Sequence, residues 1–122
     1  MKGVIAVREN QMVPVGLNSF YIKFSYCQDG VFKGRVTSPI MQLSADFTSL
    51  SRLVVLVEQW LDTPVEDLAR KPEIPEDVDY VIEVVFRQAY DWQGKLIDLK
   101  ENREATFRSV LELLIQMEMI FS

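Results

Sequence analysis

Phe20-Tyr21-Ile22-Lys23-Phe24-Ser25-Tyr26-Cys27-Gln28 decides the fold, because it returns sixty positions later as Tyr80-Val81-Ile82-Glu83-Val84-Val85-Phe86-Arg87-Gln88. In the first stretch Phe20, Ile22, Phe24 and Tyr26 alternate with Tyr21, Lys23, Ser25 and Cys27. That two-residue period predicts a strand buried on one face. Tyr80, Ile82, Val84 and Phe86 repeat the pattern. Extended outward, residues 20–62 align without a gap on residues 80–122, with eight identities in 43 positions. Average composition gives about two or three by chance. The identities include Gly34/Gly94, Phe47/Phe107, Ser49/Ser109 and Leu53/Leu113. An internal duplication is the expectation.

Each copy predicts strand, strand, a short third strand and a helix. Asp29-Gly30 tolerates positive φ and marks a hairpin. Beyond it Phe32, Gly34 and Val36 share one face, while Val31, Lys33, Arg35 and Thr37 share the other. Trp92, Gly94 and Leu96 match the first set. A glycine within a strand marks a bulge or a close approach, here expected from the helix of the same copy. Glu101-Asn102 suggests a turn into a short strand around Arg103–Ala105, whereas Pro39 predicts a less regular counterpart in the first copy.

The helix periods run through Phe47, Leu50, Leu53, Val54, Val57 and Leu61, and through Phe107, Val110, Leu113, Leu114, Met117 and Phe121. Asp46 and Thr106 are the expected N-caps. Neither helix is expected to be apolar all round. The fold class predicted is α+β: a duplicated β-β-(β)-α unit whose antiparallel sheet carries both helices on one face, related by a pseudo-twofold axis. The chain of 122 residues suits a single domain, 1–122, with repeats at 20–62 and 80–122. The connector, residues 63–79, holds Glu66, Asp67, Glu73, Glu76, Asp77 and Asp79 against Arg70 and Lys71. It carries most of the net charge of −5. Val65–Lys71 is expected to form a helical turn, and Val4–Val7 an edge strand.

Composition excludes several chemistries. No His is present, which removes the commonest general base and most zinc sites. The lone Cys27 forms no internal disulfide and, away from cations, is expected to be a passive thiol. A negative balance without a basic run disfavours nucleic acid as a partner. Glycine-rich phosphate loops, paired cysteines and a nucleophile elbow are all missing from the sequence, and no metal or cofactor is expected. The N-terminus lacks a signal-peptide core, and no apolar run approaches the roughly 20 residues a membrane span needs. With the free thiol, this predicts a cytoplasmic protein.

Arg87, Gln88, Trp92, Gln93 and Arg108 form the candidate ligand-binding set, the two guanidinium forks being suited to a carboxylate or phosphate. Arg87 and Cys27 are expected to point away from the helices. Lys23, Lys33 and Arg35 make a basic stripe near Tyr21, interrupted in the second copy by Glu83. Tyr21, Val31, Val81, Val85 and Ile97 fall on the face assigned to solvent, an apolar content that suggests a protein contact.

Phe86-Arg87-Gln88, Trp92-Gln93-Gly94 and Phe107-Arg108-Ser109-Val110-Leu111-Glu112-Leu113-Leu114 resemble the C-terminal half of a group of small bacterial proteins carrying Arg-Gln, Trp-Gln-Gly and Phe-Arg-Ser motifs. Thr106 stands where that group has Ser. The resemblance covers residues 80 to 115 and implies a bacterial cytoplasmic origin; it transfers no activity. The function expected is a non-enzymatic interaction or regulatory module that self-associates, a dimer in the simplest case, or binds another protein. The alternatives are a small anionic-ligand binder and an enzyme working without His.

Overall fold

The computed structural model describes residues 4–8, 11–15, 18–63, 75, 77–88 and 91–120. Two strands, β1 (Val4–Arg8) and β2 (Gln11–Val15), form a separate antiparallel pair. The expected edge strand at Val4–Val7 therefore pairs with its own neighbour and not with the main sheet. Next come β3 (Ser19–Gln28), β4 (Val31–Ser38), β5 (Leu43–Phe47) and α1 (Leu50–Asp62), then β6 (Tyr80–Gln88), β7 (Asp91–Asp98), β8 (Arg103–Phe107) and α2 (Val110–Ile120). The helical turn expected at 65–71 lies outside the described residues.

The six strands β3–β8 form one antiparallel sheet in the order β5-β4-β3-β6-β7-β8. Each repeat contributes three consecutive strands, and the repeats join through β3 and β6. The fold is α+β, with one core cluster beneath both helices. Equivalent residues share equivalent burial: Phe47 with Phe107, Phe32 with Trp92, Val36 with Leu96, and Leu53 with Leu113. Pro39 does not disturb the first copy, since both β-turns into the third strand end in a left-handed residue, Gln42 (φ 54°) and Asn102 (φ 53°).

Two local features depart from the simple period. The β3–β4 and β6–β7 ladders each slip by one residue at Ser25 and Val85, which are left without a cross-strand partner. A bulge of this kind reverses the facing of every residue beyond it. Tyr26 and Phe86 therefore turn outward, 45% and 52% exposed. Cys27 and Arg87 turn inward, opposite Phe32 and Trp92, contrary to the expectation that they point away from the helices. The glycines belong to the same feature. A Cβ on Gly34 would fall onto the carbonyl oxygen of Lys23, and one on Gly94 onto that of Glu83. The close neighbour is thus the adjacent strand's backbone, not the helix.

The helix caps are Ser49 and Ser109 and not Asp46 and Thr106, which belong to β5 and β8. Ser49 Oγ accepts from Arg52 N–H at 3.1 Å, and Ser109 Oγ from Glu112 N–H at 3.0 Å. Each satisfies a backbone donor that the first helical turn leaves over.

The outer face also differs from expectation. Tyr21 and Val81 are 1% and 0% exposed, buried with Val78 beside Ile40, Ile97 and Leu99. The centre of that face is covered, while Val31 and Val85 remain exposed.

Candidate functional site

The bulge at Val85 brings Arg87 and Trp92 together on the helix side of the sheet, under the C-terminal end of α1. Trp92 is fully buried, and its indole N–H donates to Glu58. Arg87 Nη2 lies 3.3 Å from the other Glu58 oxygen and also pairs with Asp62. The guanidinium fork thus holds carboxylates, but they are the chain's own. Two acids around one cation leave this spot negative. Gln88 is exposed at the end of β6, and Gln93 is exposed on the opposite face from Trp92. Arg108 is exposed at the junction of β8 and α2. The five candidate residues are therefore divided between two faces and a junction.

A second polar cluster straddles the seam between the repeats. Asp79, 3% exposed, accepts from Phe24 N–H at 3.0 Å. It also pairs with Lys100 Nζ at 2.9 Å and Lys23 Nζ at 3.4 Å. Burial by itself raises the Asp79 pKa. The hydrogen bonds from Lys100 and Phe24 and the charges of Lys100 and Lys23 outweigh it and hold the carboxyl below its usual range. Neighbouring Tyr80 is pushed up to about 12, by burial first and then by Asp98 and Asp79, so it stays protonated at neutral pH. Burial likewise raises the Cys27 thiol, reinforced by the charge of Asp79, which keeps it in the unreactive form. Among the described residues no group of three or more Cys, Asp or Glu could hold a metal ion, and no helix is long and apolar enough to cross a membrane.

The third feature is apolar. On α2, Leu111, Ile115 and Met119 are 67%, 47% and 68% exposed, spaced four residues apart along one face. As expected, α2 is not apolar all round, since Glu112, Gln116 and Glu118 interrupt it, but it buries Leu113 and Met117 below and also shows this stripe. The equivalent positions on α1 are Ser51, Val55 and Gln59. The same unit in the same fold is thus largely polar in one copy and apolar in the other. In the sequence the non-identical pairs Ser51/Leu111 and Gln59/Met119 carry this difference.

The stripe continues into a groove of about 480 Å³ between the end of α2 and edge strand β8, lined by Leu96, Ala105, Gln116, Met119 and Ile120 with Arg103 and Glu104 at its rim. The first copy has Trp60 where Ile120 stands. Trp60 packs against the core and stacks on Phe20 at 6.3 Å. No family model, no curated protein and no solved structure matches this chain.

Proposed function

We propose that this chain is a non-enzymatic interaction module that self-associates through α2 and the adjoining β8 edge. The exposed row of Leu111, Ile115 and Met119 carries the proposal, because the first repeat shows that the fold does not require it. Contiguous exposed apolar surface of this kind marks a contact site. The neighbouring edge favours a second copy as the partner. Among the described residues β8 is an end strand of the sheet, with the Thr106 carbonyl taken by Gln116 Nε2, and antiparallel pairing of two end strands is self-complementary about a twofold axis. Arg103 and Glu104 line the groove there, each paired within the chain, with Asp98 at 3.4 Å and Lys95 at 3.6 Å. Asp79, the buried carboxylate at the seam, is taken up by Phe24 N–H, Lys100 and Lys23, which suits a structural part. A bacterial cytoplasmic setting, implied by the motif resemblance, suits a protein with a free thiol.

Light scattering coupled to size-exclusion chromatography tests this. The full chain is expected to run as a dimer, and Ile115→Glu as a monomer with its circular dichroism unchanged. Val55→Glu, at the equivalent place on α1, is expected to leave the dimer intact. A chain that stays monomeric at high concentration would remove the proposal.

A further inference from the structure

The β8 edge is not bare, for a side chain of α2 lies on it. The ladder bonds fix which backbone groups of β8 face outward. Val84 N–H turns toward the β3 side and donates to the Asn18 carbonyl at 2.9 Å. In an antiparallel ladder successive residues turn to opposite sides, so Glu83 turns toward β7 and its partner Lys95 turns back toward β6. Thr106, opposite Lys95, therefore turns its N–H and C=O away from the sheet, as does Glu104 two residues earlier. Gln116 Nε2 donates to that outward Thr106 carbonyl at 2.8 Å.

The first repeat has Leu56 at the place of Gln116, 6% exposed in the core beneath α1 and without any group to offer a strand edge. The same place in the same unit thus takes an aliphatic side chain. The Gln116 amide is also only half satisfied: its Oε1 is buried and, among the described residues, has no hydrogen-bond partner. An amide kept there, with its bond spent on an edge carbonyl, points to control of that edge.

One register of strand addition suits the outward groups. A twofold axis through Ala105 sets Glu104 of one copy opposite Thr106 of the other, and the pair exchanges both backbone bonds. An axis through Glu104 would set that carboxylate against itself, and one through Thr106 would set Glu104 beyond Phe107, the end of the strand. In the favoured register Glu104 N–H of the second copy needs the carbonyl that Gln116 already holds. We propose, on the reading of β8 as the self-association edge, that Gln116 is a latch there: its amide holds the Thr106 carbonyl in the free chain and gives it up when a second β8 pairs. Gln116 thereby sets how tightly two copies associate.

Sedimentation equilibrium of the full chain, with amide hydrogen exchange followed by NMR, tests this. Gln116→Leu, which installs the first repeat's own residue, is expected to tighten the dimer about tenfold or more, the scale of two net hydrogen bonds, one per edge. Gln116→Asn keeps an amide one methylene shorter and is expected to act in the same direction, which separates release of the carbonyl from the apolar surface that Leu adds. In both variants the outward Glu104 and Thr106 N–H groups are expected to exchange slowly in the dimer. A wild-type dimer whose dissociation constant neither variant changes would overturn the latch and leave self-association standing. Tightening by Leu alone, or a tighter dimer in which Glu104 and Thr106 still exchange freely, would overturn it as well, because the gain then comes from α2. Chains that stay monomeric in all three forms would overturn both the latch and the self-association it regulates.

Discussion

Tyr21 and Val81, equivalent residues of the two repeats, lie directly opposite each other in the β3–β6 ladder. Phe20 pairs with Ile82 and Ile22 with Tyr80, so the pairing maps onto itself when the copies are exchanged. The pseudo-twofold axis passes through the Tyr21/Val81 pair, and the duplication is a dimer-like pairing made within one chain.

The first prediction concerns that seam. Val81 is fully buried, whereas Val85, four residues along the same strand, is 66% exposed. Val81→Ala is expected to cost about 1–3 kcal/mol of unfolding free energy, from lost burial and the cavity left behind. Val85→Ala is expected to change stability by less than about 0.5 kcal/mol. Urea denaturation of the two variants measures the contrast; equal costs would contradict the burial of the seam's outer face.

The bulges give a second. Gly94→Ala drives a methyl group into the Glu83 carbonyl, which is backbone and has little freedom to move. A loss of about 1–3 kcal/mol is expected, typical of overpacking against a fixed neighbour. Gly34→Ala should behave alike, since its Cβ would also come within 3.0 Å of Phe47 Cζ. A thermal melt unchanged by either substitution would refute the close approach of the strands.

Asp79 sets an acid limit. Its folded pKa lies below the ordinary carboxyl value of about 3.9, so the unfolded chain takes up its proton more readily. The stabilisation is full above that ordinary value and is lost as pH falls through the folded one. Asp79→Asn is expected to cost about 1–3 kcal/mol at neutral pH, the usual scale for hydrogen bonds to a charged group. It should also flatten the decline of stability in acid. Denaturant midpoints measured from neutral to acid pH for both proteins check the sign; parallel curves would assign the acid sensitivity to other groups.

Glu58 and Trp92 tie α1 to the second repeat. Glu58→Ala removes the acceptor of the buried Trp92 indole and one partner of Arg87. An orphaned buried donor costs about 1–3 kcal/mol. The companion change Glu118→Ala, on the exposed equivalent position of α2, is expected to be nearly neutral. Tryptophan fluorescence during denaturation reports both.

Much of the architecture was legible because burial imposes its period on the chain. Phe20, Ile22, Phe32, Phe47 and their counterparts sixty residues on are spaced as a one-faced sheet beneath helices requires. The facing of Cys27 and Arg87 was not legible. One unpaired residue inverts a strand's alternation, and Ser25 and Val85 look like ordinary members of the pattern until the ladder shows the slip. The same slip moved Arg87 to the face of Trp92, while Trp92 and Gln93, consecutive on β7, alternate between faces regardless.

The sequence by itself determined the duplicated unit, its strands and helices, and most of the core, since these follow from local periodicity and from the likeness of the copies. Only the tertiary structure decided which surfaces remain open. The covering of Tyr21 and Val81, the capture of Arg87 by Glu58 and Asp62, and the uncovered row on α2 all depend on residues far apart in the chain meeting in space. Periodicity reports which face of an element is apolar; only packing determines whether another element covers it.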